Sequence, residues 1–176
     1  MIFLLCDFSI KPFLNGNQSK ITNYPVEGVV AIRRMLKGKI LDKPRNITKK
    51  TVKEFDRARR AASINVVPPV SNLTATKRSI GYIQKYGGKD LEDSIENMSP
   101  KQQYKTGSQV GRLQKRLQKI GLEHQDIHEK NIVKPNPRKK KVYLIDNESL
   151  AKTTGKLKRN YSMTDSFDTG YEYGIR

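Results

Sequence analysis

Apolar residues fall along this chain in short blocks, some alternating or β-branched and some recurring every three to four positions. The run Ile2–Leu5, a polar turn at Asn15-Gly16-Asn17 and the compact run Val29-Val30-Ala31-Ile32 predict a small N-terminal sheet. Residues 37–50 are strongly basic and contain Pro44, which predicts a loop. Asn46 or Thr48 then offers an N-cap for a helix through Ala62, with Val52, Phe55, Ala58 and Ala62 as its apolar stripe. Within it, Thr51 and Glu54 read as a T-x-x-E capping box that sets Glu54 in the first turn.

Val66-Val67-Pro68-Pro69-Val70 can pair only at an edge or bulge, because proline lacks an amide donor. Ser79 to Tyr86 predicts a strand that Gly87-Gly88 stops, and Ser99-Pro100 opens a second helix. Val110, Leu113, Leu117 and Ile120 keep helical spacing up to Gly121, on a narrow apolar face amid basic ones. Val142-Tyr143-Leu144-Ile145 is a strand ending at Asp146. Beyond Ala151 the chain turns to Ser, Thr, Tyr and Gly without apolar periodicity, which predicts an irregular, partly disordered tail.

The length of 176 residues fits one domain, with room for two lobes. Its formal charge of +18, from 35 Lys and Arg against 17 Asp and Glu, predicts an acidic partner: nucleic acid, an anionic membrane or an acidic protein surface. A basic surface that merely keeps the chain in solution is the plainer account. Cys6 is the single cysteine, which excludes an internal disulfide and a zinc site built on several cysteines. The opening MIFLLCDF lacks a basic n-region and reaches Asp7 too soon for a signal peptide, and no run approaches the ~20 apolar residues of a membrane span. A soluble protein in a reducing compartment is the expectation.

Chemistry concentrates between His124 and Asp146. His124-Gln125-Asp126-Ile127-His128-Glu129-Lys130-Asn131 follows a helix and precedes a hairpin that ends in Leu144-Ile145-Asp146. Phosphoryl transfer from ATP asks a protein to hold magnesium on the phosphates and to orient a hydroxyl. Asn131 and Asp146, an amide oxygen and a carboxylate on neighbouring strand ends, are candidates for the magnesium; Asp126, five residues before Asn131, is the candidate base.

HQDIHEKN resembles the catalytic loop H-x-D-x-x-x-x-N of protein kinases, and its spacing to VYLIDNESLAK matches the strand and magnesium-binding aspartate that follow. The resemblance implies an α+β, bilobal fold: a small antiparallel sheet with one helix over residues 1–86, a truncated and mainly helical lobe over 87–160, and a polar tail at 161–176. It implies ATP and Mg2+ as cofactors. Leu14–Thr22, with Gly16, Ser19 and Lys20, takes the place of the phosphate-covering loop. Val30-Ala31-Ile32-Arg33 is similar to the V-A-I-K strand, with Arg33 where the family has lysine, and Glu54 is its ion-pair partner. The stretch from Ile80 to Leu91, with Tyr82 and Tyr86, takes the place of the hinge that meets adenine. His124 supports the loop, and His128 is similar to the histidine of the D-L-H motif in aminoglycoside and choline kinases.

No A-P-E motif follows Asp146. This shortened plan is similar to the minimal kinases that pathogenic bacteria secrete into host cells, of the OspG, NleH and chaperone-targeting Hop types. That likeness implies a Ser/Thr kinase in the host cytoplasm, with a host protein as substrate or activator: a ubiquitin-conjugating enzyme or a chaperone. Two rival readings stand beside it, a pseudokinase or compact ATPase that binds nucleic acid or protein, and a small-molecule phosphotransferase.

Overall fold

The computed structural model describes residues 19–24, 29–35, 44–76, 79–85, 87–135, 141–155 and 162–176; for 19–24, 29–35 and 44–46 it describes the backbone alone. The strand expected at Ile2–Leu5 and the turn at Asn15–Asn17 lie outside these residues. Strands β1 (Ser19–Tyr24), β2 (Val29–Met35), β3 (Val70–Ala75) and β4 (Ser79–Lys85) form one antiparallel sheet in the order β1-β2-β4-β3. Ser19–Thr22, expected within a phosphate-covering loop, are strand residues opposite Arg34 to Ala31. β3 is an edge strand with a register shift between Ser71 and Thr74, where Asn72 takes a positive φ of 36°. Val66-Val67 is the buried approach to it.

Helix α1 spans Pro44–Ser63 and therefore starts inside the stretch predicted as a loop. Pro44 opens it without cost, since the first N–H groups of a helix have no intrahelical acceptor. Thr51 is then mid-helix, and its hydroxyl donates to the Ile47 carbonyl at 2.8 Å, so the expected capping box does not form. Glu54 therefore lies in the third turn, buried within the protein.

Gly87-Gly88 lead from β4 to β5 (Lys89–Asp90), which joins β7 (Ile132–Lys134) and β8 (Tyr143–Leu144) in a second antiparallel sheet. Gly88 has φ +103°, and a Cβ there would lie 1.9 Å from the Lys134 carbonyl oxygen, so both conformation and space demand glycine. α2 (Pro100–Lys119) starts at the predicted Ser99-Pro100, where the Ser99 N–H donates to Gln102 Oε1 at 2.9 Å. β6 (Leu122–His124) pairs with β9 (Leu150–Lys152). The core is continuous, from Ala58, Val66 and Tyr82 through Leu113, Leu117 and Ile132 to Leu144 and Leu150.

The tail departs from expectation. Asp165–Ile175 form helix α3, capped by Thr164 accepting from the Phe167 N–H at 3.3 Å, and it packs along α2. Gly107 and Gly111 of α2 face Gly170 and Gly174 of α3. A Cβ on Gly107 would meet the Phe167 carbonyl oxygen at 2.0 Å, and one on Gly170 the Tyr104 carbonyl oxygen at 2.1 Å. Paired G-x-x-x-G spacings let the two backbones approach, while Phe167 and Tyr171 bury beside them. Phe167, Gly170, Tyr171 and Gly174 do recur at helical spacing, but a face that is half glycine shows no apolar periodicity.

Candidate active site

β6 delivers His124 to the start of the loop. Its backbone is clamped on both sides by the buried Gln114, whose Oε1 accepts from the His124 N–H and whose Nε2 donates to the His124 carbonyl, each at 3.1 Å. The ring spans two elements: Nε2 lies 2.6 Å from the Ile145 carbonyl and Nδ1 accepts from the Asp126 N–H at 3.4 Å. Because Nδ1 accepts, the proton belongs on Nε2, which donates to Ile145. Burial pushes the His124 pKa below its usual 6.5, so the ring is a neutral brace between the loop and the residue before Asp146. It is a positioning group and has no nitrogen left for substrate.

Asp126 projects outward, with a side-chain exposure of 54%. Asn131 holds the loop behind it: its Nδ2 donates to the Asp126 carbonyl at 2.9 Å and lies 3.3 Å from Asp126 Oδ2. His128 closes the group, its Nε2 2.9 Å from Asn131 Nδ2 and 3.5 Å from Asp126 Oδ2. These contacts use the amide nitrogen of Asn131 and leave its Oδ1 without a protein partner among the described residues. The Ile145 N–H donates to the Asn131 carbonyl at 2.9 Å, which sets Asp146 beside Asn131 across the β7–β8 ladder. Asp146 adopts a left-handed conformation (φ 61°, ψ 69°), and its Oδ2 accepts from the Ser149 hydroxyl at 2.6 Å. A non-glycine residue in that region is strained, the kind of departure that accumulates at functional positions.

Above this loop, Glu54 from α1 accepts at Oε1 from the Tyr82 hydroxyl at 2.6 Å. That hydroxyl in turn accepts from Asn147 Nδ2 at 3.0 Å, and Asn147 Nδ2 also reaches Gln84 Oε1 at 3.1 Å. All four residues are buried, with Asn147 and Tyr82 each 2% exposed. The sequence reading placed Tyr82 at an adenine-contacting hinge. It lies instead in the interior, linking α1 to the residue after Asp146. Asn147 and Gln84 were not anticipated: Asn147 lies in the polar run Asp146–Ser149, and its partners Tyr82 and Gln84 are more than 60 residues earlier.

Tyr86 and Gly16 lie outside the described residues. The backbone of β1 and β2 places Ser19 opposite Arg34, Lys20 opposite Arg33, and Arg33 opposite Gly81. Residues opposite one another in an antiparallel pair share a face. Arg34, opposite Ile80, is therefore at a register position on the face of Ile80, Tyr82 and Gln84, whereas Arg33 is on that of Gly81 and Ile83.

Two solved structures share this architecture. The titin kinase with its flanking domains superposes with a TM-score of 0.58 at 16% identity, covering 70% of this chain and 22% of that one. A Plasmodium kinase domain does so with a TM-score of 0.58 at 11% identity, covering 81% of this chain and 50% of that one. The fold is protein-kinase-like. No family model and no curated protein matches the sequence. The chain thus spans about a fifth and a half of the length of these two kinase-fold chains. Among the described residues no helix is long and apolar enough to cross a membrane.

Proposed function

We propose that this chain is an ATP-dependent phosphotransferase in which Asn131 and Asp146 hold magnesium and Asp126 orients the accepting hydroxyl. One observation carries the reading: a single hydrogen-bonded unit gathers Asp126, Asn131 and Asp146, through the Asn131 amide on one side and the Ile145 N–H on the other. Magnesium takes one or two protein oxygens, which the amide oxygen of Asn131 and the carboxylate of Asp146 could supply, and completes its shell with water and substrate phosphates. Bound there, the ion would neutralise charge on the phosphates.

The residues present supply the rest. Asp126, held by Asn131 and exposed, accepts a hydrogen bond from an incoming hydroxyl and takes its proton as the phosphoryl group transfers. His124, neutral and buried, keeps loop and strand end in register. The kinase fold supports a protein hydroxyl as acceptor, and the resemblance of the loop motifs to those of minimal secreted kinases supports the finer reading of a Ser/Thr kinase delivered into a host cell. A binding protein without transfer is the second reading, favoured by Arg33 at the family's lysine position.

Calorimetric titration with a non-hydrolysable ATP analogue and magnesium tests the first step, with binding by the intact chain and its loss in Asp146→Ala as the expected result. Labelled phosphate transfer to an acceptor protein tests the second. Transfer abolished by Asp126→Ala with nucleotide binding retained supports the assignment; equal transfer by wild type and both variants refutes it. Nucleotide binding without any transfer selects the second reading.

A further inference from the structure

The two long helices carry charge that phosphotransfer does not use. α2 has six Lys and Arg and no acidic residue among its 20 positions, and α1 has seven bases with Glu54 and Asp56. Like charges three and four residues apart repel along a helix, so each stripe is a standing cost to the isolated protein. The stripes converge at one place. The Arg60 guanidinium donates to the Ile120 carbonyl at the C-terminal end of α2, beside Lys119 and one turn from Arg116. Arg57 donates to the Leu150 carbonyl of β9 at 2.5 Å, and Lys152 on that strand lies opposite Leu122.

Arg57, Arg60, Arg116, Lys119 and Lys152 thus surround the junction of α1, α2 and β9, and all but the half-buried Arg57 are exposed. Attraction to a helix C-terminus accounts for one or two cations there and not for five. Five cations outnumber the acids around them: Asp56 on α1 and Glu148 before β9 are exposed, while Glu123 is buried, accepting from the Thr153 hydroxyl and the Thr154 N–H.

We propose that this junction binds the phosphodiester backbone of a nucleic acid without regard to sequence. The chemistry of the patch selects that partner. Protein interfaces centre on buried aromatic and apolar anchors, and membrane-surface helices need an apolar face. The exposed large apolar residues among those described are Val52, Ile83 and Tyr173, and none belongs to the junction. Nucleic-acid interfaces are polar and strongly positive, which matches what is exposed. The proposal is independent of phosphotransfer and stands or falls apart from it.

The test is fluorescence anisotropy of the intact chain with a short labelled RNA, over salt from roughly 50 to 200 mM. Affinity falls steeply with salt in the wild type. Replacing Arg116, Lys119 and Lys152 by Gln makes the log–log slope shallower by about 2 to 3, as expected for three lost phosphate contacts. A charge-matched control, Lys101→Gln, Lys105→Gln and Lys141→Gln, removes three cations elsewhere; Lys105 and Lys119 are about 21 Å apart at the ordinary helical rise. That control changes the slope by less than one. Equal loss in the two variants, absence of salt-dependent binding, or competition by polyglutamate or anionic vesicles as strong as by RNA overturns the proposal. Circular dichroism checks that both variants are folded, and the control variant keeps the comparison meaningful should either lose some stability.

Discussion

Replacing Gly107 by alanine sets two effects of opposite sign against each other. In an open helix the change stabilises by about 1 kcal/mol, since alanine is the better helix former. Here the new Cβ would lie 2.0 Å from the Phe167 carbonyl oxygen and 2.9 Å from the Tyr171 amide nitrogen, both backbone atoms that no rotamer change can move. Restoring ordinary contact at 3.4 Å requires α3 to retreat by 3.4 − 2.0 = 1.4 Å. A gap of ~1 Å already forfeits up to half of the dispersion well along the seam. Complete undocking would expose Phe167 and Tyr171, about 1.5–3 kcal/mol each, so the ceiling is about 3–6 kcal/mol.

Half of that loss, less the propensity gain, gives a net destabilisation of about 0.5–2 kcal/mol. The chain has no tryptophan, so urea unfolding is best followed by far-ultraviolet circular dichroism. The expected result is a lower midpoint with an unchanged m value. Phe167→Ala should loosen α3 enough that Gly107→Ala, made on top of it, turns neutral or stabilising, a coupling above about 0.5 kcal/mol. Stabilisation by Gly107→Ala in the otherwise wild-type chain would refute the close approach.

Tyr82→Phe removes the donor to Glu54 and the acceptor for Asn147, which should cost about 1–3 kcal/mol in denaturant unfolding while leaving the apolar packing in place. His124 is held neutral below its ordinary pKa of 6.5, so between its folded value and 6.5 the unfolded chain binds the extra proton. Stability therefore declines as pH falls through 6.5, and His124→Gln should flatten that part of the midpoint-versus-pH curve even as it lowers the plateau. Asp146→Gly relieves the left-handed conformation and should change the melting temperature little while abolishing magnesium-dependent nucleotide binding. Register predicts that Arg34→Ala weakens nucleotide binding more than Arg33→Ala does; the reverse order in calorimetry would return the role to Arg33.

Local signals were legible where they depended on near neighbours. Ser99-Pro100 and Gly121 bounded α2 closely, and the spacing of His124, Asp126, Asn131 and Asp146 already described a loop beside a strand end. The start of α1 was misplaced because Pro44 was read as a breaker when it sits at the tolerated first turn. α3 escaped notice because its buried face is half glycine, and such a face gains meaning only against the matching glycines of α2, some 60 residues earlier. Tyr82 has a hinge-like position in sequence, yet its direction is set by pairing with β2 and by Glu54, 28 residues away. Composition marked the charge, and only the fold shows that three elements bring part of it to one junction.

The four-stranded sheet meets the loop-bearing part through β4 and the segments beside it. Leu144 N–H donates to the Val66 carbonyl, Asn147 holds Tyr82 and Gln84, and Gly87 lies against Val133. With β4 taken as the pivot, a rigid rotation would move each strand in proportion to its distance, and β1 is two strands from β4 in the order β1-β2-β4-β3, about 10 Å at the usual spacing. A 10° swing, taken as an order of magnitude, therefore carries β1 through about 2 Å while leaving Tyr82 and Asn147 nearly still. Glu54, hydrogen-bonded to Tyr82, would then keep its setting through such a motion, with the travel concentrated at β1.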